Sequence, residues 1–137
     1  MNCVFCKIIS KEIPSTIVFE SEKTLAILDI HPLRDGHTVI LPKLHKELVK
    51  DLPADFAQDL GLTISKVSDI LHASLNTDSN TIGINDGSGA GQGVPHVHAH
   101  IIPRKVSDGG GSLHSVMQSS TSLPLEEVAR RIGAIQK

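Results

Sequence analysis

Three of the eight histidines in this 137-residue chain stand at alternate positions, His96, His98 and His100. Val97, Ala99 and Ile101 alternate with them. Strict alternation reads as a β-strand, because successive side chains point to opposite faces. One face would carry three imidazoles about 6.7 Å apart, and the other would carry three apolar groups for a core. Such a row admits three chemistries: a solvated face with no task, a three-histidine metal site, or a nucleophilic histidine flanked by helpers. The stretch just before it favours the last. Residues 85–95 contain glycines at 87, 89, 91 and 93, which let a loop turn its N–H groups toward a phosphate. Imidazole titrates near neutral pH, so a neutral ring at His98 can attack phosphorus if its second nitrogen donates to an acceptor.

Cys3-Val4-Phe5-Cys6 opens the chain. Its spacing suits two thiolates on one zinc, half of a tetrahedral site, with His45 and His96 as suitable partners. A redox dithiol needs a strand before it and a helix after it, and almost no chain precedes Cys3. A free thiol pair on a short helix is the plain alternative. Asp29 ends an apolar run. Its carboxylate suits two hydroxyl donors, as in a ribose diol, or simply caps a strand end.

The elements that must hold these groups follow from the pattern. A short helix is expected over 6–11, stopping before Pro14. Strands are expected over 16–20, 24–30, 37–41, 80–85 and 96–102, the first two joined by a hairpin turn. Phe56, Leu60, Ile64, Val67 and Leu71 recur every three or four residues, so a long helix begins at Leu52-Pro53 and packs on the sheet. Residues 107–122 read as a flexible linker or lid, from their Gly and Ser content. A final helix over 123–137 would be capped by Ser122, with Leu125, Val128, Ala129 and Ile132 as its apolar face. Residues 1–106 form the main domain. The fold class expected is α+β.

Composition sets the outer limits. Thirteen basic and fifteen acidic residues leave a formal charge of −2, and Trp and Tyr are absent. That balance gives no sign of nucleic-acid or membrane binding, and no stacking platform for single strands. The chain also lacks an apolar stretch of membrane-spanning length and a secretory leader pattern, so a cytoplasmic, possibly also nuclear, location is expected.

His96-Val97-His98-Ala99-His100-Ile101-Ile102 resembles the signature of the histidine triad (HIT) family of nucleotide hydrolases and transferases. Phe5-Cys6-Lys7-Ile8-Ile9, Leu28-Asp29-Ile30, Gly36-His37-Thr38, Ile40-Leu41-Pro42-Lys43 and Ala90-Gly91-Gln92 extend the likeness to the HINT-like phosphoramidase branch. It runs from about residue 3 to 104 and leaves out the tail. The resemblance implies an antiparallel sheet of about five strands with one long helix, short terminal helices and a two-fold homodimer. It implies His98 as nucleophile, assisted by His100 and His37. It implies a purine nucleotide bound by Asp29, Ile30, Asn85, Gly91, Gln92, Gly93, His98 and His100, with Phe5, Ile8, Ile13 and Ile27 walling the base. It implies a structural zinc on Cys3, Cys6, His45 and His96. Several HINT-like proteins carry Ser where this chain has Gly93, and their chains end soon after the last strand.

The activity expected is hydrolysis of adenosine-type nucleoside 5′-phosphoramidates through a nucleotidyl-histidine. A diadenosine polyphosphate hydrolase would use the same nucleophile and expel a nucleotide. Nucleotidyl transfer is less suited to so small a chain. A catalytic zinc hydrolase on the three histidines leaves the glycine loop and the Cys pair unused. A nucleotide-binding module without turnover is the non-enzymatic alternative.

Overall fold

The structure, a computed structural model, describes residues 2–118 and 121–136. Positions 119–120 of the expected linker and position 137 of the expected last helix lie outside the described residues. One five-stranded antiparallel sheet organises the chain, in the order β1-β2-β3-β5-β4. Its strands are β1 (Ile17–Glu20), β2 (Thr24–Leu28), β3 (Thr38–Pro42), β4 (Ser79–Ile84) and β5 (Ala99–Arg104). Helix α1 (Val4–Ile9) lies on one face, the long helix α2 (Ala54–Leu75) crosses the other, and α3 (Leu125–Ile135) follows the sheet.

Strand periodicity distributes the core to both faces. Ala26, Ile40, Val97, Ala99 and Ile101 pack with Leu60, Val67 and Leu71 of α2. Leu25, Ile27, Val39 and Leu41 point the opposite way and pack with Ile8, flanked by Phe5, Ile9 and Ile13. β2 and β3 are therefore covered on both sides, which explains their unbroken apolar runs. Ile101 is fully buried between α2 and the sheet. Ile101→Ala is expected to cost about 2–5 kcal/mol, read as a shift of the urea midpoint at constant m-value.

Several boundaries differ from the sequence expectation. The fifth strand begins at Ala99 rather than His96, so only His100 of the three histidines lies within it. The cause is Pro42. The β3–β5 register pairs Ile40 with Ala99, and continuing it would set Pro42 against Val97. Proline has no N–H to extend the ladder, and Val97 N–H donates to the Lys46 carbonyl instead (2.7 Å). Similarly, α1 starts at Val4, before Cys6. α2 starts at Ala54 with Pro53 as its cap residue. Ser122 does not cap α3, because Pro124 occupies the cap position and Ser122 stands too far upstream to reach the free N–H groups.

Candidate functional site

Two side-chain clusters share one face of the sheet, and His96 joins them. The first is Cys3, Cys6, His45 and His96. Cys3 Sγ lies 3.6 Å from His96 Nδ1, Cys6 Sγ lies 3.4 Å from His45 Nδ1 and 3.7 Å from His96 Nδ1, and the two Nδ1 atoms are 3.2 Å apart. A tetrahedral zinc with ordinary Zn–S and Zn–N bonds needs S···N edges of about 3.6 Å and N···N edges of about 3.3 Å. The donor set fits that geometry. The tautomer fits as well. His96 Nε2–H donates to the Pro42 carbonyl (2.9 Å), leaving the Nδ1 lone pair directed into the cluster. Burial raises the Cys6 thiol above its ordinary value, with Cys3 adding to the rise. A cation among these sulfurs would reverse that by stabilising the thiolates.

The second cluster is the histidine row proper. His98 Nδ1 lies 2.7 Å from the His96 carbonyl oxygen, so Nδ1 carries the proton and donates. In the neutral ring the lone pair is then on Nε2. Phe5 holds the ring edge-on from α1, with centroids 4.9 Å apart, and His100 does so from β5 at 5.0 Å. His37, at the entry to β3, sets the state of His100. The Leu33 N–H donates to His37 Nδ1 (3.1 Å), so the His37 proton sits on Nε2. That Nε2–H donates to His100 Nδ1 (2.9 Å), and His100 keeps its own proton on Nε2. The row thus presents a base at His98 and an N–H donor at His100.

Burial holds both His37 and His100 below the ordinary histidine value. Asp29, with Oδ2 3.5 Å from His37 Nε2, opposes the shift without cancelling it. The unfolded chain therefore takes up protons below about pH 6.5 while these two rings resist, so stability falls as pH drops through that value. Melting temperatures between about pH 7.5 and 5.5 should decline less steeply in His100→Asn than in the wild type. An unchanged slope would mean that His100 does not contribute.

Asp29 follows β2. Its Oδ1 accepts from His31 N–H (2.8 Å), which orients the carboxylate and leaves lone pairs for a ligand. Ile30 beside it is exposed. Asn85 follows β4 and lines the same hollow as His37 and His100. Phe5, Ile8, Ile13 and Ile27 gather in the core layer under α1. The glycine loop is more self-contained than its sequence suggests. Gly91, at φ +83°, donates to Ser88, Gln92 N–H donates to Gly87, and the Gln92 amide donates to the Glu47 carbonyl (2.8 Å). Among Gly91, Gln92 and Gly93, only the Gly93 N–H makes no hydrogen bond within the described residues. Sequence reasoning missed Leu33 and the carbonyls of His96 and Pro42, because backbone groups leave no residue signature. It also missed Leu113 and Val116, which stand beside His37 and His100. Their only signal is apolar character within a polar tail.

Comparison with known proteins identifies the family. The HIT domain family model matches residues 10–107. An Arabidopsis thaliana adenylylsulfatase is 36% identical over 136 residues, covering 99% of this chain and 68% of its own. A Candida albicans adenosine 5′-monophosphoramidase is 38% identical over 108 residues, covering 76% of this chain and 71% of its own. A zinc-bound histidine triad protein from Mycobacterium smegmatis superposes with a TM-score of 0.75 at 38% identity, over 79% of this chain and 78% of that one. With His98 and His100 on one face, His37 behind them and the family match spanning most of its length, this chain belongs to the histidine triad (HIT domain) family.

Proposed function

We propose that this protein hydrolyses purine nucleoside 5′-phosphoramidates of the adenosine type through a nucleotidyl-His98 intermediate. The observation that carries the reading is the His98 tautomer: a carbonyl on Nδ1 leaves Nε2 as the nucleophile. In the first step His98 Nε2 bonds to phosphorus and the P–N bond breaks. The amine keeps the electron pair and takes a proton from solvent. In the second step water bonds to phosphorus, the Nε2–P bond breaks, and the water proton returns to solvent. Nucleoside monophosphate and amine are the products.

The transition state spreads charge over the non-bridging oxygens, where His100 Nε2–H, the Asn85 amide and the Gly93 N–H can donate. Asp29 would accept from the ribose hydroxyls, and the apolar layer around Phe5 and Ile13 would receive the base. Zinc on Cys3, Cys6, His45 and His96 would serve as a structural cross-link, since protein fills all four positions.

Product analysis by liquid chromatography tests the reading. Adenosine phosphoramidate should be cleaved with a higher kcat/KM than diadenosine tetraphosphate or adenosine 5′-phosphosulfate. A preference for either rival would change the substrate and keep the nucleophile. No turnover of any would leave a nucleotide-binding module.

The protein is also proposed to act as a homodimer. β4 closes one edge of the sheet with its outer side unpaired by any described strand. Light scattering at micromolar concentration should give twice the chain mass.

A further inference from the structure

Resting on the phosphoramidase reading, we propose that a groove leading away from His100 selects the leaving amine, and that it favours an apolar body ending in an anion. Beside His37 and His100 lies a cavity of about 300 Å³, walled by Leu33, Ile102, Leu113 and Val116. A second hollow of about 330 Å³ shares Leu33, Thr81 and Ile102 with the first and reaches Arg34. The two hollows adjoin at those shared residues, apolar beside His100 and cationic at the Arg34 end.

The tail builds the outer wall. Arg104 binds Asp108 in two places (2.6 and 2.8 Å) and donates to the Gly111 carbonyl and Thr81 Oγ1. Asp108 also accepts the N–H groups of Lys105 and Gly110. A Cβ on Gly110 would stand 2.6 Å from Arg104 Nη2, so this glycine permits the close approach. The clamp brings Leu113 and Val116 to the pocket, where both remain largely exposed.

The charges in this groove do not balance. Arg104 and Asp108 neutralise one another. Arg34 is half-buried and makes no side-chain hydrogen bond or ion pair among the described residues, with Asp35 beside it included. One positive charge remains at the distal end. An alkyl or aryl amine would cover Leu113 and Val116 and gain their burial, and a terminal carboxylate would meet Arg34. A polyphosphate leaving group would press its charged oxygens against Leu33, Ile102 and Val116 at a desolvation cost. The groove therefore favours an amine over a second nucleotide. During the reaction the P–N bond breaks as described above, and the distal anion is unchanged.

The test uses this whole chain, purified in the presence of zinc. Adenosine 5′-phosphoramidates of four-, six- and eight-carbon ω-amino acids are compared with those of the matching alkylamines. In the wild type the kcat/KM ratio of acid to alkyl is expected to reach about tenfold at the length that spans the groove. Arg34→Ala should bring it close to one, and Arg34→Lys should restore part of it. Leu113→Ser should lower the alkylamine adducts relative to the unsubstituted phosphoramidate. A wild-type ratio near one at every length, or a ratio retained in Arg34→Ala, overturns the proposal while the phosphoramidase reading stands. Failure to turn over any phosphoramidate removes both.

Discussion

His98→Ala is expected to lose at least about 10³-fold in kcat/KM on adenosine phosphoramidate, because it removes the atom proposed to bond to phosphorus. The loss should fall on kcat more than on KM, since the groups proposed to bind nucleotide, Asp29, Asn85 and the apolar layer under α1, remain in place. His98→Gly leaves a hollow beside Phe5 and His100, and added imidazole should recover part of the rate. Quenched wild-type protein should carry a nucleotidyl adduct visible by intact mass spectrometry, absent from His98→Ala. The adduct separates a covalent route from a metal-bound hydroxide, which forms none. It also separates turnover from mere binding. An active His98→Ala enzyme would end the proposed mechanism.

The other large effect is expected at the four-residue cluster. Cys6→Ser replaces a thiol that zinc would hold as thiolate by a poor zinc ligand, and both Cys6···His distances lie within the spacing a tetrahedral ion requires. If zinc binds the folded state at a thousand times its dissociation constant, it contributes about 4 kcal/mol, so losing it should lower Tm by on the order of 10 °C or more. Chelation of the wild type should reproduce the shift, and added zinc should reverse it. The variant should show little further response to chelator.

A kinetic consequence follows from His96. Its ring enters the cluster while its carbonyl orients the His98 proton. Slackening the cluster should therefore lower kcat beyond what lost stability explains, at temperatures where the variant is still folded. If kcat is retained in folded, metal-free protein, the two clusters are not coupled in this way.

Much of this site was legible in the chain itself. Alternation at 96–101 assigned histidines to one side and Val97, Ala99 and Ile101 to the core, and the α2 stripe named the residues that cover them. Those are short-range patterns, set by a backbone that repeats every two or 3.6 residues. The Cys3–Cys6 spacing likewise announced half of the Cys/His cluster. Its other half required the sheet. His45 and His96 stand 51 positions apart, and their Nδ1 atoms come within 3.2 Å because β3 and β5 pair antiparallel and the ladder stops at Pro42. Only tertiary structure chose the tautomers, since the deciding partners are the Leu33 N–H and the His96 and Pro42 carbonyls, main-chain groups that no side-chain type marks. It also drew the tail onto the histidine face, through an Arg104–Asp108 pair whose composition reads as ordinary loop. Sequence determines which side chains are available and their local period. The angle at which a hydrogen bond meets a ring nitrogen depends on where the whole sheet places two distant backbones.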